Sequence, residues 1–226
     1  MPQLKLENVS YQYKGGDRKV VNDVTCRFEG GQLNAVVGPS GSGKTTLLSL
    51  MAGLDQPTQG GIAIDGEPLA SLDLDRYRRE RVSMIFQAFQ LFPLLTALEN
   101  VCFPMQLNGV SRQEIPEKGK TFLSSVGITE DKFERYPANL SGGEQQRVAI
   151  ARTLATGAQV LLADEPTGNL DKANGDKVIE ILAQLAHTGG YCVIIVTHDP
   201  SIAARSDKVW RMSDGVLIES HPPSPA

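Results

Sequence analysis

One stretch of the chain, Gly38-Pro39-Ser40-Gly41-Ser42-Gly43-Lys44-Thr45, has the residue types and spacing to hold a polyphosphate. Its glycines let successive backbone amides turn toward one anion, and a helix starting behind them adds its dipole. Lys44 can reach the β- and γ-phosphates of a nucleotide, while the Thr45 hydroxyl is placed to ligate Mg²⁺. Thr46 extends the set expected around the phosphates.

A second group is Val160-Leu161-Leu162-Ala163-Asp164-Glu165. An apolar strand would deliver Asp164 to its carboxyl end, where α/β sheets hold their ligands and where a carboxylate can hold Mg²⁺. Glu165, one position on, suits the orientation or deprotonation of an attacking water. Phosphoryl transfer requires such positioning more than covalent chemistry. A third group, Leu140-Ser141-Gly142-Gly143-Glu144-Gln145-Gln146-Arg147, reads as a capped helix start whose glycines expose its amides. Ser141, Gly142, Gly143 and Glu144 thus form a second expected anion site. One nucleotide does not need two such sites in one chain, which points to service for the nucleotide of a partner chain.

These groups need elements to carry them. Residues 4–9 alternate as a half-buried strand would, and residues 32–37 form a strand running into the glycine loop. Residues 45–52 read as the helix behind it. Ile62 and Ile64 precede an Asp65-Gly66 turn, which predicts antiparallel structure near the front of the chain. Residues 83–86 predict a further short strand, and residues 88–140 change character to helical stretches with many breakers. The strand at residues 160–163 is continuously apolar, as is residues 192–196, so both should be covered on two faces. Val178, Ile181, Leu182 and Leu185 fall on one helical stripe between them. Alternating strands and helices predict an α/β fold with a mostly parallel sheet. The expected organisation is a single domain over residues 1–219, with a core of about 1–87 and 156–219 and a helical insert of about 88–155. A proline-rich tail, residues 220–226, is expected to stay unpacked.

Composition is ordinary for a soluble globular protein, with 226 residues, 41% hydrophobic and 21% charged. A net charge of −4 gives no reason to expect a nucleic-acid partner. Cys26, Cys102 and Cys192 are scattered without CxxC spacing, which argues against disulfides and structural zinc and for a cytoplasmic setting. No secretory signal is visible and no apolar run could cross a bilayer, so a membrane-spanning part would have to come from another chain.

Residues 140–145 resemble the signature motif of the ABC ATPases, in the order between phosphate loop and acidic strand that this family uses. Gln87 resembles its Q-loop glutamine, Gly168-Asn169-Leu170-Asp171 its D-loop, and His198 its H-loop histidine. Tyr13 resembles the aromatic that stacks on adenine, with Tyr11 as the alternative register. The resemblance covers nearly the whole chain. It implies a P-loop NTPase fold with a RecA-like core, an antiparallel β subdomain and an inserted α-helical subdomain. ATP and Mg²⁺ are the implied ligands, with Gln87 joining Thr45 and Asp164 at the metal. Lys44, Gln87, Glu165 and His198 would carry hydrolysis in cis. Ser141 and Gly143 would complete the partner's site in a head-to-tail dimer, beside Asp171 of the D-loop.

Gly53-Leu54-Asp55, Ala97-Leu98-Glu99-Asn100-Val101 and residues 163–171 further resemble the lipoprotein-release and macrolide-export group. That resemblance implies a transport or mechanotransmission motor on the inner face of the cell membrane. A permease subunit would dock near Gln87–Leu95, on Phe89, Leu91, Phe92 and Leu94. The alternatives are a soluble ABC ATPase acting on nucleic acid or ribosomes, which would ordinarily carry two cassettes or a coiled-coil insert, and a non-catalytic regulator, which would have lost Lys44, Glu165 or His198.

Overall fold

The structure is a computed structural model that describes residues 1–220, so the expected tail lies almost entirely outside the described residues. The chain opens with β1 (Gln3–Tyr11), β2 (Val21–Glu29) and β3 (Gln32–Val37), followed by helix α1 (Lys44–Met51). β4 (Gln59–Ile64) and β5 (Glu67–Pro68) flank the Asp65-Gly66 turn, and α2 (Leu74–Glu80) leads to β6 (Val82–Phe86). Three helices follow: α3 (Ala97–Leu107), α4 (Ile115–Ser125) and α5 (Gly142–Leu154). The chain then runs through β7 (Val160–Asp164), α6 (Lys172–His187), β8 (Cys192–Thr197), α7 (Pro200–Ala204), β9 (Lys208–Ser213) and β10 (Val216–Ser220).

The larger sheet has the order β10-β9-β3-β8-β7-β6. Every pairing from β9 to β6 is parallel, and β10 closes the edge antiparallel. Its register decides where the chemistry sits. Val37 pairs with Thr197, Val196 with Asp164, and Asp164 with Phe86. The carboxyl ends of β3, β8, β7 and β6 are therefore level, and the residues that follow them, Gly38, His198, Glu165 and Gln87, line one sheet edge. That edge is where open α/β sheets bind ligands.

Both faces of the sheet are covered, as the continuous apolar runs required. Leu161 and Ala163 face a core shared with α3 to α6, while Val160 and Leu162 face one shared with α1 and the antiparallel sheet. All six residues of β8 are buried. Each fully buried leucine or valine here contributes about 1.5–3 kcal/mol. The antiparallel sheet has the order β2-β1-β4-β5.

Strands β2, β9 and β10 were not among the sequence expectations. In β2 the alternation is broken at Asp23, which takes a left-handed φ of 51°, and the β1–β2 register shifts between Leu6 and Tyr11. The strands β9 and β10 are short and half exposed, so their periodicity is weak. Ahead of α3, Thr96 and Glu99 form a capping box. The buried Asn100 amide ties down the loop before it, donating to the carbonyls of Phe92, Leu95 and Thr96 and accepting from the Phe92 amide.

Candidate functional site

The phosphate loop follows β3 as a turn that only glycine can complete at two points. A Cβ on Gly38 would fall 2.1 Å from the Met212 carbonyl oxygen, and one on Gly43 would fall 2.4 Å from that of Val20. Gly43 also caps α1 with a φ of 105°, which a side chain would resist. Lys44 bends back over the loop, its Nζ donating to the carbonyls of Gly38 and Pro39 at 2.9 Å each. Ser40 and Gly41 are exposed at the loop's rim, and Ser42 is buried beneath it. Tyr13, half exposed, hydrogen-bonds Thr46 Oγ1 through its hydroxyl at 3.0 Å. Tyr11 meets Tyr13 edge-on at 5.0 Å and donates instead to Asp55 Oδ1.

Across from the loop, Thr45 Oγ1 lies 3.5 Å from Asp164 Oδ1, a weak hydrogen bond. Burial holds the Asp164 carboxyl above the usual aspartate range, and the neighbouring Glu165 charge adds to this. Thr45 and Lys44 only partly offset these effects. Two crowded carboxylates beside a hydroxyl suit a hard divalent cation. No cluster of three or more His, Cys, Asp or Glu side chains able to hold a metal stands among the described residues. The Thr45 hydroxyl beside the Asp164 carboxylate fits Mg²⁺, which characteristically takes one or two carboxylates and fills its remaining positions with phosphate oxygens and water.

The same crowding sets a stability cost. An acid whose folded pKa is raised loses stabilisation as pH climbs from its ordinary value through the raised one, so at neutral pH its charge weighs against folding. Asp164→Asn should raise the melting temperature of the nucleotide-free chain while eliminating Mg²⁺-dependent ATP turnover. Thermal unfolding at neutral pH beside an ATPase assay checks both.

Glu165 sits at a left-handed φ of 47°, an unfavourable conformation for a residue with a side chain. Its amide donates to the Val196 carbonyl at 2.9 Å, fixing it against β8. Its carboxylate is held at both oxygens: Oε1 lies 2.7 Å from His198 Nδ1, and Oε2 accepts from Thr197 Oγ1 at 3.2 Å. The carboxylate is one-fifth exposed, while the imidazole is open to solvent. The arrangement offers an oriented base with a partner able to stabilise the proton it takes.

Gln87 reaches the D-loop and is bonded to it twice. Its Nε2 donates to Asn169 Oδ1 at 3.1 Å, and Asn169 Nδ2 donates to the Gln87 carbonyl at 3.0 Å. A Cβ on Gly168 would meet Gln87 Nε2 at 2.7 Å, so glycine allows this seating. Asp171 caps α6 through the Asn174 amide, the bond that chiefly lowers its pKa.

At the start of α5, Ser141 Oγ accepts from the Glu144 amide and the Ser141 amide donates to Glu144 Oε2. Glu144 also pairs with Lys132 at 2.6 Å, and the Lys132 bond is the main reason its carboxyl falls to about 2. Since the capping box engages the Ser141 and Glu144 amides, an anion here would meet those of Gly142 and Gly143. A Cβ on Gly143 would lie 2.4 Å from Asn174 Oδ1, so this loop is seated against α6. No hydrogen bond among the described residues joins residues 141–144 to the phosphate loop.

Gln146 is a site-shaping residue that the sequence did not reveal. Fully buried, its Nε2 donates to the carbonyls of Phe86 and Pro166, tying α5 to the ends of β6 and β7. A glutamine on a helix carries no signal of its destination. The apolar set after Gln87 divides: Phe92 and Leu94 are exposed, whereas Leu91 packs against the core and Phe89 is half buried.

The family model described as ABC transporter matches residues 21–168. The chain belongs to the ABC transporter family. This cassette is accordingly an ATP-binding, ATP-hydrolysing α/β protein with the P-loop NTPase fold. It is 42% identical over 222 residues to an uncharacterized ABC transporter ATP-binding protein of Mycobacterium tuberculosis, covering 96% of this chain and 89% of that one. It is 46% identical to the macrolide export ATP-binding/permease protein MacB of Rhodopseudomonas palustris, covering 95% of this chain but 33% of MacB. Among solved structures it is similar to the ATP-binding cassette MJ0796 in a dimeric, post-hydrolysis state bound to ADP and Pi. That similarity has a TM-score of 0.87 and 36% identity, over 98% of this chain and 100% of that one.

Proposed function

We propose that the cassette is the motor subunit of a transport or mechanotransmission complex, working as a head-to-tail homodimer beneath a separate permease on the inner face of the membrane. The observation that carries this is the separation of its functional residues into two groups. The phosphate loop, Asp164, Glu165, Gln87 and His198 line one sheet edge, while the signature residues seat on α6 with no hydrogen bond to that loop. A second copy would bring its signature residues to the first copy's nucleotide. The dimeric, ADP-bound state of MJ0796 supports this reading.

In the composite site, Lys44 exchanges its bonds to the Gly38 and Pro39 carbonyls for the β- and γ-phosphate oxygens, and the amides of residues 39–45 surround them. Tyr13, whose ring is open beside the loop, stacks on adenine, and Tyr11 supports it edge-on. Thr45, Asp164 and Gln87 would hold Mg²⁺, which when bound would supply positive charge against the phosphates. Glu165 orients and deprotonates water, and His198 steadies Glu165 and bonds the γ-phosphate. The partner's Ser141 and Gly143 close the site, with Asp171 at the same seam. After hydrolysis the charge that held donors from both copies is divided, and the dimer loosens.

No helix among the described residues is long and apolar enough to cross a membrane. A groove of about 460 Å³ is lined by Leu54, Arg78, Phe86, Gln90, Phe92 and Arg152. With Phe92 exposed on its wall and Leu94, two residues on in the chain, 85% exposed, this is the surface on which a permease would dock. Leu94→Asp should leave ATP hydrolysis by the purified cassette unchanged and release the cassette from the membrane fraction of cells. Retention on membranes at the wild-type level would place docking elsewhere.

A further inference from the structure

Arg152 lies in the last turn of α5, the helix that begins with the signature residues. Its Nη1 donates to the Gln90 carbonyl at 2.7 Å and its Nη2 to the Phe89 carbonyl at 3.4 Å. Phe89 and Gln90 are consecutive non-glycine residues at left-handed φ, 54° and 50°. Side chains disfavour that conformation, so a turn with two in a row persists only where surrounding contacts fix it. The same guanidinium stands 5.7 Å from the Phe92 ring centroid, and Phe92 packs edge-on against Phe103 at 4.9 Å. Six residues earlier on the helix, Gln146 holds the Phe86 carbonyl at 3.3 Å. Two side chains of α5 therefore bracket Gln87, one gripping the backbone before it and the other the turn after it.

We infer that Arg152 is a positioning residue for hydrolysis, holding the strained Phe89–Gln90 turn so that Gln87 stays seated against Asn169 at the carboxyl edge of the sheet. This rests on Gln87 belonging to the hydrolytic site. The guanidinium suits the task because its planar fork can hold two carbonyls at once while its face stacks on an aromatic ring. A lysine ammonium could still reach carbonyls, as Lys44 does, but as a point charge it would lack the planar face set over the Phe92 ring.

Steady-state ATP hydrolysis by the purified chain tests it, comparing wild type, Arg152→Met, Arg152→Lys, Gln87→Ala and the Arg152→Met/Gln87→Ala double variant. Arg152→Met should lower kcat by on the order of tenfold with KM for ATP unchanged, as expected for a misplaced group rather than a lost binding contact. Arg152→Lys should fall between it and wild type. In the Gln87→Ala background the Arg152→Met change should cost nothing further, because both act through one side chain. A loss that adds to that of Gln87→Ala, an unchanged kcat, or a change confined to KM would overturn the inference. Should Arg152→Met fail to fold, Arg152→Lys carries the same comparison: a kcat loss that vanishes in the Gln87→Ala background supports the role, and wild-type kcat overturns it. A Gln87→Ala enzyme with wild-type kcat would remove Gln87 itself from hydrolysis. Impaired Gln87→Ala beside intact Arg152→Met would remove Arg152 alone.

Discussion

Glu165→Gln should reduce ATP turnover by on the order of 10²–10⁴, the range expected for loss of a general base. The substitution keeps the shape of the side chain and lets one terminal atom still meet Thr197 or His198, so the fold and nucleotide affinity should survive. The carboxylate is fixed by both its oxygens, with His198 Nδ1 at 2.7 Å and Thr197 Oγ1 at 3.2 Å, and its backbone is held in a left-handed conformation. On the proposed role, that much support around one acid would preorganise it for a reaction. ATP affinity measured by equilibrium binding should stay near wild type while phosphate release collapses. Equal losses of both would make Glu165 a structural residue.

Lys44→Met carries the other large effect, on binding as well as turnover. The ammonium lies over the phosphate loop, where it bridges the Gly38 and Pro39 carbonyls. Two hydrogen bonds from a charged donor to phosphate oxygens are worth about 3–6 kcal/mol together. ATP affinity should accordingly fall by roughly 10²–10⁴. Methionine keeps the chain length but drops both carbonyl bonds, so the melting temperature should fall by several degrees while the chain stays folded. Titration of the purified variant with a fluorescent ATP analogue, beside a thermal melt, separates loss of affinity from loss of fold.

Much of this was legible in the chain because the signals were local. A glycine-rich turn ending in Lys44-Thr45, an apolar strand ending in Asp164, and a serine three residues before Glu144 each carry their signal in a few adjacent residues. The parallel sheet followed from strands covered on both faces, as β7 and β8 are. What stayed hidden depends on contacts distant in sequence. Gln146 reaches carbonyls 60 and 20 residues away, and Arg152 reaches back 62 residues to Gln90. Neither destination has a counterpart in local pattern. The division of the apolar set after Gln87, with Leu91 inward and Leu94 outward, is likewise decided by packing against α3 and α5 rather than by hydropathy. Tyr11 and Tyr13, equivalent by type, separate only once Asp55 claims one hydroxyl and Thr46 the other.

The composite site is tested most directly by the mass of the Glu165→Gln cassette in solution, measured by light scattering with ATP and Mg²⁺. With hydrolysis blocked, the nucleotide should stay sandwiched and the mass should double from that of the 24.4 kDa monomer. Adding Ser141→Arg, which places a bulky side chain at the start of α5 where the partner's γ-phosphate would lie, should return it to the monomer. A Glu165→Gln cassette that stays monomeric, or a dimer that persists with Ser141→Arg in place, would contradict two copies completing each other's sites through their signature residues.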